Sequence, residues 1–263
     1  MLHQRILSSI IGIPLLLFAV WYGGWLHFLL TIAIMIFALF ELNKIFIKMN
    51  INPPLVIMTF CVFILSISAY IGGLKYWGLL ITPVVLLFLL MATIRYPAME
   101  PKDWTAGLTG TLYVGMFVYF YLVRTLDGGI TWIFILLFGT WAGDTLAYVV
   151  GKKLGRRKLA PELSPGKTVE GALGGLMGSL LGALLTNLFI PAAPVYMVAV
   201  LGLLVGAFGI LGDLFESSLK RTAGIKDTGV LIPGHGGVLD RFDSMLFAAP
   251  VTFYFVYFMI VRG

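Results

Sequence analysis

The chain has 263 residues, 60% of them hydrophobic and 11% charged, with a mean hydropathy of +1.00. Soluble domains carry roughly 25% charged residues, so a single water-soluble core is excluded and lipid is the expected solvent. The net charge of +6 is compatible with nucleic acid, but the placement of the cations along the chain argues against that partner.

The first apolar run follows Arg5, continues to Val20 and passes into Trp21-Tyr22-Gly23-Gly24-Trp25 without a small-residue cleavage site. It is expected to stay as a membrane span rather than be removed as a leader. A bilayer core about 30 Å thick takes about 20 apolar residues per helix. On that ruler nine spans are expected, over 6–22, 25–41, 55–72, 76–94, 105–123, 130–150, 171–190, 194–212 and 244–261. The first two are separated by Gly23-Gly24 and should form a tight helical hairpin. Pro14 and Pro83 lie inside spans, which membrane helices tolerate. Cys61, the single cysteine, sits in an apolar run and is expected to pack as a small hydrophobe.

Fifteen of the 18 Lys and Arg residues fall at the amino terminus or in the loops after spans two, four, six and eight. By the positive-inside rule the amino terminus and the polar loops 151–170 and 213–243 lie in the cytoplasm, and the carboxyl terminus lies outside. The fold class is therefore an all-α integral membrane protein. Residues 1–95 form a scaffold poor in chemistry, and residues 96–263 form the catalytic region. Gly174, Gly178 and Gly182 recur every four residues, as do Gly202 and Gly206, a spacing that lets membrane helices approach closely within or between subunits.

Three groups of residues carry chemistry. On a helix, Asp213, Glu216, Ser217 and Lys220 share one face, with Arg221 at its edge. Such a stripe ending an apolar span either neutralises itself or binds a ligand. In the second case Asp213 takes a hard cation while Lys220 and Arg221 hold phosphate oxygens; magnesium needs only one or two carboxylates beside substrate phosphates. Pro233-Gly234-His235-Gly236-Gly237 is a bend whose successive N–H groups can point at an anion. It leads into Asp240-Arg241-Phe242-Asp243, whose two aspartates lie one turn apart at a helix start. His235 either bonds a phosphate or braces the bend. In the sixth span Trp141, Asp144 and Tyr148 share a face, and Asp144 needs a cation there. Beyond it come a basic cluster and Ser164-Pro165-Gly166-Lys167-Thr168. The Gly-Lys-Thr run resembles the end of a P-loop. Pro161 stands where that motif needs glycine, and no strand is expected before it, so the P-loop is rejected.

The run Ser218-Leu219-Lys220-Arg221, Lys226-Asp227, then Pro233-x-His235-Gly236-Gly237-x-x-Asp240-Arg241-x-Asp243, resembles the carboxyl-terminal motif of the phosphatidate cytidylyltransferases (CDP-diacylglycerol synthases). The stretch from Asp144-Thr145-x-Ala147-Tyr148 through Ser164-Pro165-x-Lys167-Thr168-x-Glu170-Gly171 is similar to the same family. The resemblance covers most of 105–261. It implies transfer of a cytidylyl group from CTP to phosphatidate, giving CDP-diacylglycerol and diphosphate. It further implies magnesium with a potassium ion beside it, a homodimer, and a place among the lipids of the bacterial cytoplasmic (inner) membrane. Asp213 and Asp240 would bind the divalent ion, with Asp144 and Asp243 assisting. Lys167, Lys220, Arg221 and Arg241 would neutralise phosphates, and Asp227 would orient Lys226. Ser164, Thr168, Ser217, His235, Gly236 and Gly237 would line the substrates. A transporter using Asp144, and a sister enzyme acting on another lipid phosphate, are the competing readings. The Asp-x-x-Asp-Gly-x-x-Ala-Arg pattern of CDP-alcohol phosphotransferases is absent.

Overall fold

The computed structural model describes residues 2–229, 231, 234 and 236–261. Seven helices among these residues are long and apolar enough to cross a membrane, as an all-α integral membrane protein requires. By packing the chain divides into two compact units. One joins Met1–Val118 to Leu219–Arg241, the other Tyr119–Ser218 to Phe242–Gly263.

In the first unit, α1 (Leu2–Tyr22) and α2 (Gly24–Lys48) are joined by the expected hairpin. It is made possible by positive φ at Gly23 (73°) and Gly24 (50°), which glycine adopts at little cost. The helices α3 (Leu55–Gly72), α4 (Leu74–Ile94) and α5 (Pro101–Gly115) follow. The core is apolar, with Met35, Leu39, Leu42, Met58, Leu65 and Phe88 all buried, and Cys61 among them as expected. The Asp103 carboxylate ties this unit's polar edge. It accepts from the N–H of Asn52 at 2.7 Å and from that of Glu100 at 3.1 Å, so the turn after α2 is fastened to the start of α5.

The expected fifth span is two helices, α5 and α6 (Val118–Thr125). The helix tightens at the break, where Phe117 N–H donates to Val114 three residues back. Gly115, a poor helix former, precedes this break.

In the second unit α7 (Gly129–Leu154) packs along α8 (Val169–Phe189). The glycine repeat explains the approach. A Cβ on Gly182 would lie 2.6 Å from the Phe138 carbonyl oxygen, and one on Gly178 would run into that of Ala142. Gly202 and Gly206 of α9 (Val195–Thr222) do the same against Ala183 and Ser179. Small residues at this spacing therefore bring three helices of one chain together. The helix α10 (Leu239–Val256) ends in a π-helical turn, Tyr257–Val261.

Both stretches expected to be loops are partly regular. The segment after α7 holds an antiparallel ribbon of β1 (Lys158–Ala160) and β2 (Ser164–Thr168). A strand does exist here, contrary to the expectation that none would. The P-loop is still ruled out, because Gly166-Lys167-Thr168 lies within β2 itself. Thr168 then caps α8 by accepting the Gly171 N–H at 3.0 Å. Likewise α9 runs to Thr222, so residues 213–222 are helix.

Two stability measurements test this packing. Gly182→Leu is expected to cost about 1–3 kcal/mol or more, because backbone cannot yield as a side chain does. It should lower the thermal midpoint in detergent, whereas Gly12→Leu, whose Cβ meets nothing within 4 Å, should not. Thr168→Val removes the α8 cap and is expected to cost about 1 kcal/mol in the same assay.

Candidate functional site

In the second unit the ribbon delivers Lys167 to α9. Its Nζ lies 2.6 Å from Asp213 Oδ2, with the two side chains 25% and 34% exposed. Ser217, one turn on, donates to Asp213 Oδ1 at 3.3 Å. The pair is compensated in charge and partly exposed along its side chains, while the Lys167 Nζ itself is shielded from solvent. Glu170 anchors the same region by accepting from the N–H groups of Arg156 and Arg157 and from Arg157 Nε, at 3.0–3.2 Å. Ser164 begins β2 and is partly buried. Asp144, exposed on α7, lines a cavity of about 20 Å³ with Thr140, Gly143, Ser179 and Gly206, large enough for one water. Asp243 is buried in α10, and its Oδ1 accepts the Ser244 N–H. Gly212 lets α9 touch α10 here, since a Cβ on it would collide with the Asp243 carbonyl.

In the first unit the last turn of α9 meets the start of α10. Lys220 Nζ donates to Asp240 Oδ1 at 2.7 Å, and both side chains are largely buried, at 14% and 6% exposed. The other oxygen of Asp240 accepts from Thr228 N–H, Thr228 Oγ1 and Gly237 N–H, each at 2.9 Å. A second carboxylate completes this cluster: Glu41 of α2, 4% exposed. It accepts from Val238 N–H at 3.0 Å, Leu239 N–H at 2.8 Å and Thr228 Oγ1 at 3.1 Å.

Of the glycine-rich bend, Gly237 gives its N–H to Asp240, and the next two N–H groups, those of Val238 and Leu239, go to Glu41. The glycines fit this use. A Cβ on Gly237 would meet both the Glu41 carboxylate and the Thr228 hydroxyl, and one on Gly229 would meet Glu41. Gly236 has φ 89° and lies beside Asp240 Oδ2.

The fold therefore brings Lys167 to Asp213 and Ser217, and Lys220 to Asp240. Arg221, Lys226, Asp227 and Arg241 are exposed. Glu216 and Ser217 are buried on α9, so the polar stripe faces inward. His235 lies outside the described residues. Among the described residues no three His, Cys, Asp or Glu side chains cluster as a ready-made metal cage. Magnesium does not need one, because carboxylate oxygens of the kind at Asp213 and Asp240 serve it singly beside substrate phosphates and water. Glu41 is the residue that motif reading misses. The signal was present, for it is the only acid in the first 99 residues and sits in a largely apolar helix.

Comparison with known proteins agrees with this chemistry. The model of the cytidylyltransferase family matches residues 3–259. The phosphatidate cytidylyltransferase of Bacillus subtilis is 36% identical over 268 residues, covering 98% of this chain and 97% of the relative. That of Synechocystis sp. is 36% identical over 294 residues with the same two coverages. That of Staphylococcus epidermidis is 34% identical over 254 residues, 94% of this chain and 96% of the relative. With the match running from end to end and the polar residues set on buried helix ends, the chain belongs to the cytidylyltransferase family.

Proposed function

We propose that the protein transfers the cytidylyl group of CTP to phosphatidate, forming CDP-diacylglycerol and diphosphate, at the cytoplasmic face of the bacterial inner membrane. The observation that carries this reading is the partly buried pair of Lys167 and Asp213, in a chain matched over its length by phosphatidate cytidylyltransferases. A pair of this kind offers a cation for phosphate oxygens and a carboxylate for a hard metal ion.

The reaction joins two polyanions. A phosphate oxygen of phosphatidate attacks the α-phosphorus of CTP, the α–β phosphoanhydride bond breaks, and the electron pair leaves with diphosphate. No side-chain nucleophile is needed, so catalysis consists of neutralisation and positioning. Lys167, Lys220, Arg221 and Arg241 neutralise phosphate oxygens. Asp213 and Asp240 serve as carboxylate ligands for magnesium, with Asp144 and Asp243 assisting or orienting neighbours. Bound magnesium, with potassium as a second cation, supplies charge stabilisation of the phosphates and the leaving diphosphate. Ser164, Thr168, Ser217, His235, Gly236 and Gly237 belong to the substrate side, and Asp227 orients Lys226. The homodimer rests on the family resemblance.

The test is an assay of the detergent-solubilised protein with labelled CTP and phosphatidate. CDP-diacylglycerol and diphosphate should appear together, cease on chelation and return with magnesium. Asp213→Asn and Lys167→Met should each lower turnover by about 10²–10³, the usual loss of one electrostatic contact to a transition state. No CTP-dependent lipid product from the unaltered protein would overturn the proposal, and turnover indifferent to chelation would remove the metal.

A further inference from the structure

We propose that Glu41 is a positioning residue: its buried carboxylate clasps Thr228 and the start of α10 to α2 and thereby sets Asp240 against Lys220. This inference rests on the reading of Lys220 and Asp240 as part of the CTP-handling machinery.

An ionised carboxylate removed from water is costly unless donors replace the water. Glu41 has such donors in Thr228 Oγ1, Val238 N–H and Leu239 N–H. All three come from the loop and the first residue of α10, far away along the chain; Glu41 and Leu239 are 198 residues apart. The two N–H groups stand at the amino end of α10, where negative charge is favoured by the helix dipole and by otherwise unpaired donors.

Glu41 and Asp240 are coupled rather than merely near. Thr228 Oγ1 is within hydrogen-bond distance of both, at 3.1 and 2.9 Å, with a single proton between them. The three successive N–H groups of Gly237, Val238 and Leu239 are divided between the same two carboxylates. Gly229 and Gly237 close over Glu41 so tightly that neither has room for a side chain. Release of Glu41 would therefore free the loop that holds Asp240 Oδ2, and Asp240 Oδ1 is the oxygen that faces Lys220. Glu41 itself lies behind this arrangement and touches no substrate.

The nearly isosteric Glu41→Gln separates this role from bulk. It replaces one acceptor oxygen by an NH2 group facing N–H donors. In the full chain in detergent, hydrogen exchange at residues 228–240 should accelerate by about tenfold or more while that at 55–72 stays at its original rate. The KM for CTP should rise by about tenfold, whereas mere loss of folded protein would lower apparent kcat and leave KM unchanged. Thr228→Val, which takes the shared hydroxyl from both carboxylates, should couple with Glu41→Gln rather than add to it as a change at an independent site would. Unchanged exchange at 228–240 in Glu41→Gln, or acceleration spread equally over 55–72, would overturn the clasp. An unchanged KM would overturn the positioning role. If the unaltered protein makes no lipid product, the reading of the function fails, and the exchange arm still decides whether Glu41 holds the loop.

Discussion

Charge compensation at the ends of apolar helices governs this structure. Acids and bases placed beside lipid-length helices must find partners, because each alone would be held away from water at a cost of several kcal/mol. Lys220 with Asp240 and Lys167 with Asp213 are two such solutions, at 2.7 and 2.6 Å. They differ in kind. The Asp240 carboxylate is nearly sealed, with three donors on Oδ2 and only Lys220 on Oδ1, so it belongs as much to the architecture as to chemistry. The Asp213 carboxylate is a third exposed and keeps acceptor capacity.

Glycine plays two separate parts. Along α8 and α9 it removes side chains so that helices can touch, which is packing. Around residues 229–237 it removes side chains so that backbone N–H groups can reach Glu41 and Asp240, which is electrostatics. In both places the need is a close approach, and at Gly236 there is the further need of a left-handed φ. The successive N–H groups of Gly237, Val238 and Leu239 are thus occupied by anions built into the protein.

Much of the fold was legible in the sequence, because a membrane span is a local signal: length and apolarity suffice. The hairpin was legible from Gly23-Gly24, and helical spacing put Glu216 and Ser217 on one face of α9, but that this face is buried was not legible. The ribbon at 158–168 was not. It is short, rich in charge and proline, and lacks the alternation by which strands are recognised. Glu41 was overlooked because its partners lie up to 198 residues away and because none of its neighbours in sequence carries a motif. Pairings of this kind are set by tertiary contact, so spacing could nominate Lys167, Asp213, Lys220 and Asp240 but could not match each base with its acid.

The central claim is that Lys167 and Asp213 each act on a ligand of their own and do not merely neutralise one another. The most direct measurement is CDP-diacylglycerol synthesis by the doubly exchanged protein, Lys167→Asp with Asp213→Lys, compared with the two single substitutions. The account predicts that the double variant folds, with its ion pair restored, yet remains about 10²-fold or more below the unaltered protein. Recovery of near-original synthesis would contradict it and reduce the pair to a structural contact.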